Sequence, residues 1–192
     1  MKIIKEILSW VIPIIVGLVV ALLIRQYVFT FARVDGPSME PNLVNKERLI
    51  VWRHAKVKHL SVIVFDAHGE DPTATKPKTD YVKRVIGLPG DTVSSKNGNL
   101  YVNGKVVPQK FISMSERTTG TGNWNLKSLS KSWDKNTNAT KVPKGEYFVL
   151  GDHRSVSNDG RYWGLVPKSK MIGVVKAWPW QNRKQYINNY QP

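Results

Sequence analysis

The hydrophobic positions form one long apolar run near the N-terminus, followed by short alternating runs. Residues 7–24 read ILSWVIPIIVGLVVALLI, 18 residues without a charge. As a helix this run spans roughly 27 Å, which is close to the hydrocarbon thickness of a bilayer. Pro13 and Gly17 are costly in a soluble helix but common in membrane helices. The pattern therefore predicts a transmembrane anchor over residues 7–27.

Two other interpretations of this run are a buried core helix and a cleaved signal peptide. A soluble core helix is amphipathic and shorter. A signal peptide has an apolar region of about 7–15 residues that ends in a small-x-small site. The stretch Tyr27–Phe31 offers no such site, so an uncleaved anchor is the better interpretation.

The charges that flank the anchor bear on its orientation. Lys2 and Lys5 favour a cytoplasmic N-terminus, whereas Arg25 and Arg33 act in the opposite sense. Long domains are translocated largely regardless of their own charge. We therefore expect a single-pass protein of the cell membrane, with a short cytoplasmic tail at residues 1–6 and the domain at residues 28–192 on the outer face.

Beyond the anchor, β-type residues fall in short runs bounded by turn or charged residues. Asn-Gly pairs at 97–98 and 103–104 flank one such run and predict two hairpins. Helical periodicity is absent after residue 31. The predicted fold class is mainly β, an antiparallel β-sheet domain at residues 28–192 behind one N-terminal transmembrane helix. The predicted strands are Arg48–Trp52, Ser61–Phe65, Tyr81–Ile86, Asn99–Val102, Glu146–Leu150 and Met171–Trp178.

One polar stretch separates these runs. Residues 113–140 are rich in Ser, Thr, Asn, Gly and Lys, with Trp124 and Trp133 among them. Such a composition is typical of a loop rather than of a packed core. We predict a long surface loop or a partly ordered insertion here, and not a second domain.

Charge and cysteine content narrow the classes of function. The 192 residues include 29 Lys and Arg against 14 Asp and Glu, a net charge of +15. This excess favours an anionic partner, either nucleic acid or an acidic membrane surface. The anchor favours the lipid bilayer, and no binding motif supports a nucleic acid partner. The absence of cysteine excludes disulfides, thiolate metal sites and a cysteine nucleophile.

The first candidate for catalysis is Ser38. Gly36-Pro37 predicts a tight turn that presents the serine on an irregular backbone. The segment departs from the Gly-x-Ser-x-Gly elbow, because Glu40 stands where the second glycine is needed. The histidines within residues 54–68 have the spacing of neither a triad nor a metal site, so we expect no metal and no cofactor. Taken alone, Ser38 is better interpreted as an ordinary turn serine.

The second candidate, Lys83, interrupts an apolar strand. Because side chains alternate along a strand, Tyr81, Lys83 and Val85 share one face. A lysine among apolar neighbours is either an edge residue whose amine reaches water or a desolvated, reactive amine. Without further context, the first interpretation is the better one.

A third segment, residues 150–164, is dense in charged residues, glycines and serines. Such a density predicts a hydrogen-bonded loop that holds other groups in place. Asp152 and Arg161 fit an Asp–Arg network that has a structural role.

These three segments, in this order and after one membrane segment, resemble those of bacterial type I signal peptidases (leader peptidases), in the single-membrane-segment form typical of Gram-positive bacteria. The resemblance covers the anchor and most of residues 25–178, outside the loop at 113–140. It implies a serine endopeptidase with a Ser/Lys dyad that cleaves signal peptides from exported preproteins at the membrane surface. It also implies small residues at the first and third positions before the cut.

The resemblance assigns roles residue by residue. Ser38, followed by the family's Met39 and Pro41, is the nucleophile. Lys83 is the general base in the pattern Tyr-x-Lys-Arg-x-x-Gly-x-Pro-Gly-Asp, and Ser157 hydrogen-bonds and orients it. The remaining residues are Asp152, Asp159 and Arg161, which support the loop, and Met39, Leu43, Tyr81 and Val82, which are candidate walls of shallow apolar pockets.

Three positions depart from the family pattern. His153 stands where the family often has Asn, and Gly160 where it often has Ser. Gly36 lies where some members carry a serine that helps to bind the oxyanion. The oxyanion site here would then rest mainly on the Ser38 backbone N–H, and members with a single membrane segment commonly have glycine at this position.

A lysine base must lose its proton before substrate arrives. The ordinary lysine pKa is near 10.4, and burial beside Tyr81 and Val85 is expected to bring the pKa of Lys83 to about 8. Two rival functions remain: a self-cleaving repressor, which would carry an N-terminal DNA-binding domain, and a non-enzymatic membrane-tethered β module. The retention of both Ser38 and Lys83 argues against the second.

Overall fold

The computed structural model describes residues 2–135 and 138–188, so both ends of the chain and part of the predicted loop lie outside the described residues. Helix α1 (Lys2–Tyr27) contains the apolar run. Within it, Ser9–Tyr27 is long and apolar enough to cross a membrane, and none of its residues is buried by the rest of the described chain. An apolar helix satisfies its own backbone hydrogen bonds, which is what the interior of a bilayer requires.

The rest of the described chain is mainly antiparallel β, which confirms the predicted fold class. The strands are β1 (Phe29–Arg33), β2 (Arg48–Trp52), β3 (Val62–Asp66), β4 (Asp80–Gly87), β5 (Val93–Lys96), β6 (Asn99–Val102), β7 (Lys105–Val107), β8 (Trp124–Asn125), β9 (Glu146–Leu150), β10 (Val166–Pro167) and β11 (Met171–Lys176). Seven of them form one sheet in the order β1-β2-β11-β3-β4-β9-β10, and four form a second in the order β7-β6-β5-β8.

The six predicted strands are present at or close to their predicted positions. β2, β6 and β9 have the predicted bounds, β3 and β4 differ by one residue at each end, and β11 ends two residues early. Both Asn-Gly pairs form two-residue hairpin turns, with φ of +50° and +77° at residues 97–98 and +51° and +75° at residues 103–104. Positive φ at both central positions is the type I′ geometry that the Asn-Gly signal predicts.

The segment at 113–140 is more ordered than a surface loop. It contains a π-helical turn (Glu116–Gly120), strand β8 and a short helix, α2 (Leu126–Ser130). β8 pairs with β5 and so belongs to the second sheet, and Trp133 is only 4% exposed. The short helix α2 gave no helical periodicity in the sequence, because five residues are too few to show a period of 3.6.

Strand β4 is fixed by burial on both of its faces. Ile86 joins the apolar cluster between the two sheets, and Val85 joins a cluster on the opposite face, beside Phe65. Val82 packs against a third cluster, which lies under the segment that carries Ser38 and includes Met39. Since β4 contributes to all three clusters, the position of Lys83 within it is set by the whole core.

Candidate active site

Ser38 lies in a turn between β1 and β2. Gly36 has a φ of +84°, a left-handed conformation that favours glycine. The carbonyl of Pro37 accepts a hydrogen bond from the Glu40 N–H at 3.0 Å, which closes the turn. Ser38 is left partly exposed, whereas the next side chain, Met39, is fully buried and holds the turn against the core.

Lys83 lies in the middle of β4 and is 4% exposed. Its amine forms no hydrogen bond or ion pair with any residue that the structure describes, and it lies 5.3 Å from the centre of the Tyr81 ring. Burial lowers the pKa of Lys83 to about 8, although the charges of Asp159 and Asp71 act to raise it. The side chain is therefore an amine that loses its proton far more readily than an exposed lysine.

The sequence predicts a hydrogen bond from Ser157 to Lys83, and the structure does not contain it. The Ser157 hydroxyl is buried and has no hydrogen-bond partner among the described residues. It lies against Gly151, where a Cβ would collide both with this hydroxyl and with the Ser38 carbonyl oxygen. Ser157 is thus close to the turn that carries Ser38, and the missing Cβ of Gly151 is what allows the close approach.

A buried ion pair holds the loop that follows β9. Arg161 Nε donates to Asp159 Oδ1 at 2.8 Å, and the Gly151 N–H donates to Asp159 Oδ2 at 2.9 Å. Arg161 also donates to the carbonyl oxygens of Gly120 and Arg154, at 2.6 and 2.7 Å. These bonds tie the loop to the ordered segment at 113–140.

Asp152 forms its ion pair with Arg84, the neighbour of Lys83 on β4. Both side chains are fully buried, and Arg84 donates from Nε at 2.7 Å and from Nη2 at 2.6 Å. Asn42 Nδ2 donates a third hydrogen bond to Asp152 at 2.7 Å. Because Arg84 points to the face opposite Lys83, this pair fixes β4 without neutralising the amine.

A cavity of about 200 Å³ lies between the turn that carries Ser38 and β4. Ser38 and Lys83 both line it, so the structure brings the two predicted catalytic residues to one site. Three of the predicted wall residues line the same cavity: Met39, Tyr81 and Val82.

Leu43 does not line this cavity. It is fully buried in the apolar cluster under the turn that carries Ser38. A leucine near a motif is equally consistent with a core position and with a cavity wall. The cavity is also lined by four residues that the sequence does not single out: Val34, Asp35, Asp80 and Asn158. The polar density of residues 150–164 pointed to a role for Asn158, but no sequence signal distinguished Val34 from the core valines.

β4 has a free edge beside the cavity. β9 pairs with β4 only from Arg84 onward, and no described strand pairs with that edge at residues 80–83. Val85 exchanges backbone hydrogen bonds with the segment before β3. Since backbone groups alternate between the two edges of a strand, the N–H and C=O of Val82 point to the free edge. An extended peptide in the cavity therefore meets unpaired backbone groups.

Comparisons with known proteins assign the family. The family model described as "Signal peptidase, peptidase S26" matches residues 7–180. Signal peptidase IB of Staphylococcus aureus (strain COL) is 36% identical over 194 residues, which cover 96% of this chain and 96% of the relative. Signal peptidase I P of Bacillus subtilis subsp. natto is 37% identical over 175 residues, which cover 88% of this chain and 87% of the relative. The chain belongs to the signal peptidase I family.

A solved structure agrees with this assignment. The crystal structure of a signal peptidase I from Enterococcus faecalis V583 matches with a TM-score of 0.51 at 31% identity, and the match covers 62% of this chain and 97% of that one. The predicted resemblance to the type I signal peptidases of Gram-positive bacteria is confirmed. As a signal peptidase I, the protein is a serine peptidase that cleaves signal peptides from preproteins.

In this signal peptidase I, the ordered segment at 113–140 is linked to the turn that carries Ser38 through two contacts. Glu116 accepts hydrogen bonds from the backbone N–H of Ser155 at 3.0 Å and from its hydroxyl at 2.9 Å. Two residues earlier, the His153 N–H donates to the Ser38 carbonyl at 3.1 Å. The segment that the family resemblance left unexplained therefore supports the backbone on which Ser38 stands.

Proposed function

We propose that this signal peptidase I uses Ser38 as its nucleophile and Lys83 as its general base. The observation that carries the proposal is the cavity that both residues line, in which the buried amine of Lys83 has no ion-pair partner among the described residues. An unpaired ammonium is costly to bury, so the neutral, basic form of the amine is favoured. The serine is accessible and the lysine is shielded, which is the division of labour that a Ser–Lys pair needs.

In this proposal the residues supply a nucleophile, a base and an oxyanion donor for acyl transfer. With a pKa of about 8, roughly one Lys83 in ten is neutral at pH 7. The amine takes the hydroxyl proton as Ser38 Oγ bonds to the scissile carbonyl carbon, and the backbone N–H of Ser38 stabilises the oxyanion. The ammonium then protonates the leaving nitrogen as the C–N bond breaks. Water, deprotonated by the same amine, attacks the acyl ester and releases Ser38.

The free edge of β4 favours an extended signal peptide. A peptide that pairs with the backbone of Val82 adds a strand to the large sheet, a common mode of peptide recognition. Alternate side chains of a strand point the same way, so the first and third residues before the cut would face the same wall. The small cavity beside Met39 and Val82 then favours small residues at both positions.

Membrane attachment would place this site at the bilayer surface. Helix α1 ends at Tyr27, and Ser38 follows 11 residues later. Lys2 and Lys5 favour a cytoplasmic N-terminus, which leaves the catalytic domain on the outer face. A preprotein whose own apolar segment lies in the same bilayer would present its cleavage point there.

Cleavage of a preprotein in phospholipid vesicles tests the dyad. Ser38→Ala and Lys83→Ala should each reduce turnover by at least about a thousandfold, because the residues of a nucleophile–base unit fail together. Ser169→Ala and Lys96→Ala, on exposed residues away from the cavity, are matched controls that should retain normal rates. Near-normal turnover of either dyad variant would show the assignment to be wrong.

The pH dependence of kcat/KM tests the base separately. Since the active amine is the unprotonated one, the rate should rise with pH through an acidic limb near pH 8. A rate that falls only below about pH 5, where carboxylates titrate, would exclude Lys83 as the base.

A further inference from the structure

A buried carboxylate lies behind the wall of the cavity, in the connection between β3 and β4. Asp71 is 2% exposed. Its backbone is fixed by a turn, in which the Asp71 N–H donates to Ala67 at 3.0 Å and the Ala74 N–H donates to Asp71 at 2.9 Å. A carboxylate is costly to bury unless donors surround it, so its partners indicate why it is there.

Donors from three parts of the chain surround this carboxylate. Asp71 Oδ1 accepts hydrogen bonds from the N–H and the hydroxyl of Thr73, both at 2.8 Å. Oδ2 accepts from the Tyr81 hydroxyl at 2.9 Å and from Asn158 Nδ2 at 2.6 Å. These four bonds occupy the acceptor sites of an ionised carboxylate.

The two donors on Oδ2 line the cavity. Tyr81 belongs to β4, and Asn158 belongs to the loop that follows β9, yet one oxygen of Asp71 holds them together. The loop and the first half of β4 are not joined by strand pairing, since β9 pairs with β4 only from Arg84 onward. Asp71 is therefore placed to set the separation of these two walls.

We propose that Asp71 is a positioning residue for signal peptide cleavage, which fixes the width of the substrate cavity by holding Tyr81 and Asn158 on one carboxylate oxygen. The proposal rests on the function assigned above to Ser38 and Lys83. Asp71 itself does not line the cavity, so it acts on the substrate through the two residues that it binds.

The charge of Asp71 also acts on the base. Burial is the main influence on the pKa of Lys83, and Asp71 opposes it by stabilising the ammonium. Removal of this charge lowers the pKa of Lys83 further, so the acidic limb of the activity profile moves to lower pH. The charged groups that act on Lys83 or line the cavity beside it are Asp159, Asp71, Arg161, Asp152, Asp35 and Asp80.

Asp71→Asn in the full chain, assayed in phospholipid vesicles, tests the proposal. Two preproteins are compared that differ only in the third residue before the cut, alanine in one and valine in the other. A pocket discriminates one or two methylene groups by roughly 10–200-fold. We expect Asp71→Asn to reduce the preference for alanine, measured as a ratio of kcat/KM values, by about tenfold. The acidic limb should move to lower pH in the same variant.

Asp66→Asn is the matched control. Asp66 is the last residue of β3, directly before the same connection. Its Oδ2 lies 3.8 Å from Lys170 Nζ, and it does not line the cavity. Both readouts should equal those of the wild type. If Asp71→Asn does not fold, Tyr81→Phe removes one donor to the carboxylate and should lower the preference for alanine in the same direction.

An unchanged preference ratio overturns the proposal, even if the overall rate drops, because a purely structural role for Asp71 slows both substrates alike. The same holds for Tyr81→Phe where it replaces Asp71→Asn. If Ser38→Ala and Lys83→Ala are inactive but the preference ratio of Asp71→Asn is unchanged, the inference about Asp71 is wrong and the proposed dyad stands. Activity that survives in Ser38→Ala would overturn the proposed dyad instead.

Discussion

Burial of the Lys83 amine favours its proposed catalytic role but lowers the stability of the fold. Its amine is buried in β4 with no ion-pair partner among the described residues. The nearest ion pair in the same strand, Arg84 with Asp152, is complete by itself and faces the other way. The fold thus pairs the charge of Arg84 and leaves the charge of Lys83 to be relieved by deprotonation. Burial favours the neutral amine, and the buried ammonium is costly at low pH.

The cost can be measured with Lys83→Met. The pKa of Lys83 is about 8 in the folded chain, against an ordinary 10.5. Between these values the unfolded chain holds a proton that the folded chain has lost, so stability rises with pH across this window. Below pH 8 the full cost is present, about 3 kcal/mol. We expect Lys83→Met to unfold at a higher temperature than wild type at pH 7, with a gap that closes towards pH 10.5.

Thermal unfolding of the full chain in detergent, followed by tryptophan fluorescence, gives this comparison. Lys96→Met, at an exposed position of β5, serves as the control and should show little difference from the wild type at either pH. A stability gap for Lys83→Met that stays constant from pH 7 to pH 10.5 would mean that the amine is not the source.

Single residues differ in how far the sequence predicts their position. The order of the motifs predicts that Ser38 and Lys83 lie together, and the structure places both at one cavity. The sequence does not predict the direction of the Ser157 hydroxyl, which lies against Gly151 and makes no hydrogen bond to Lys83. Leu43 was mistaken for a cavity wall because its sequence neighbourhood is the same for core and cavity. Both errors concern side-chain orientation, which depends on contacts distant in sequence.

At the scale of elements, β4 combines burial with an open edge. Its side chains enter all three apolar clusters, while its backbone at residues 80–83 has no described strand on one side. An edge of this kind is a template for pairing with another chain. In the mechanism proposed above the pairing partner is the substrate, so the strand that carries Lys83 would also align the scissile bond.

A series of N-methylated peptides tests this alignment. Each peptide spans a signal-peptide cleavage site and carries one N-methyl group, which removes one backbone donor. Because alternate N–H groups of a strand face the same neighbour, we expect inhibition to weaken at every second position, by about tenfold where a bond to β4 is lost. Competition against a preprotein substrate measures it. If the loss of inhibition does not alternate from one N-methyl position to the next, the peptide does not pair with β4 as a strand.

Elements were easier to predict than contacts. β2, β6 and β9 lie at the predicted positions because each is a short β-type run bounded by turn residues or charges. The structure of the segment at 113–140 is harder to predict, because it depends on contacts with residues distant in the sequence. β8 has two residues and exists only by pairing with β5, and Trp133 is buried by the domain around it. A polar composition indicates a loop, and no local pattern shows which loops are packed.

At the scale of the whole molecule, exposed aromatic rings lie close to the anchor. Phe29 and Phe31 follow directly after α1, with ring centres 5.6 Å apart. Phe31 stacks on Trp178 at 6.3 Å, and Trp178 stacks on Trp180 at 4.9 Å. Phe31 and Trp180 are 52% and 73% exposed. Such rings suit the interface between headgroups and hydrocarbon, so this aromatic cluster extends the hydrophobic surface of α1 onto the domain.

The cluster is expected to hold the catalytic domain on the bilayer, and Trp180→Ser tests this. Burial of about 100 Å² of one ring stabilises the membrane contact by roughly 2 kcal/mol. The variant should therefore cleave a vesicle-inserted preprotein more slowly, by up to about thirtyfold, yet hydrolyse a short soluble peptide in detergent at the normal rate. Val106→Ser is the control, since Val106 is 57% exposed on β7 in the other sheet. An equal loss on both substrates would place the effect of Trp180 in the active site, and no loss on either would leave anchoring to α1 alone.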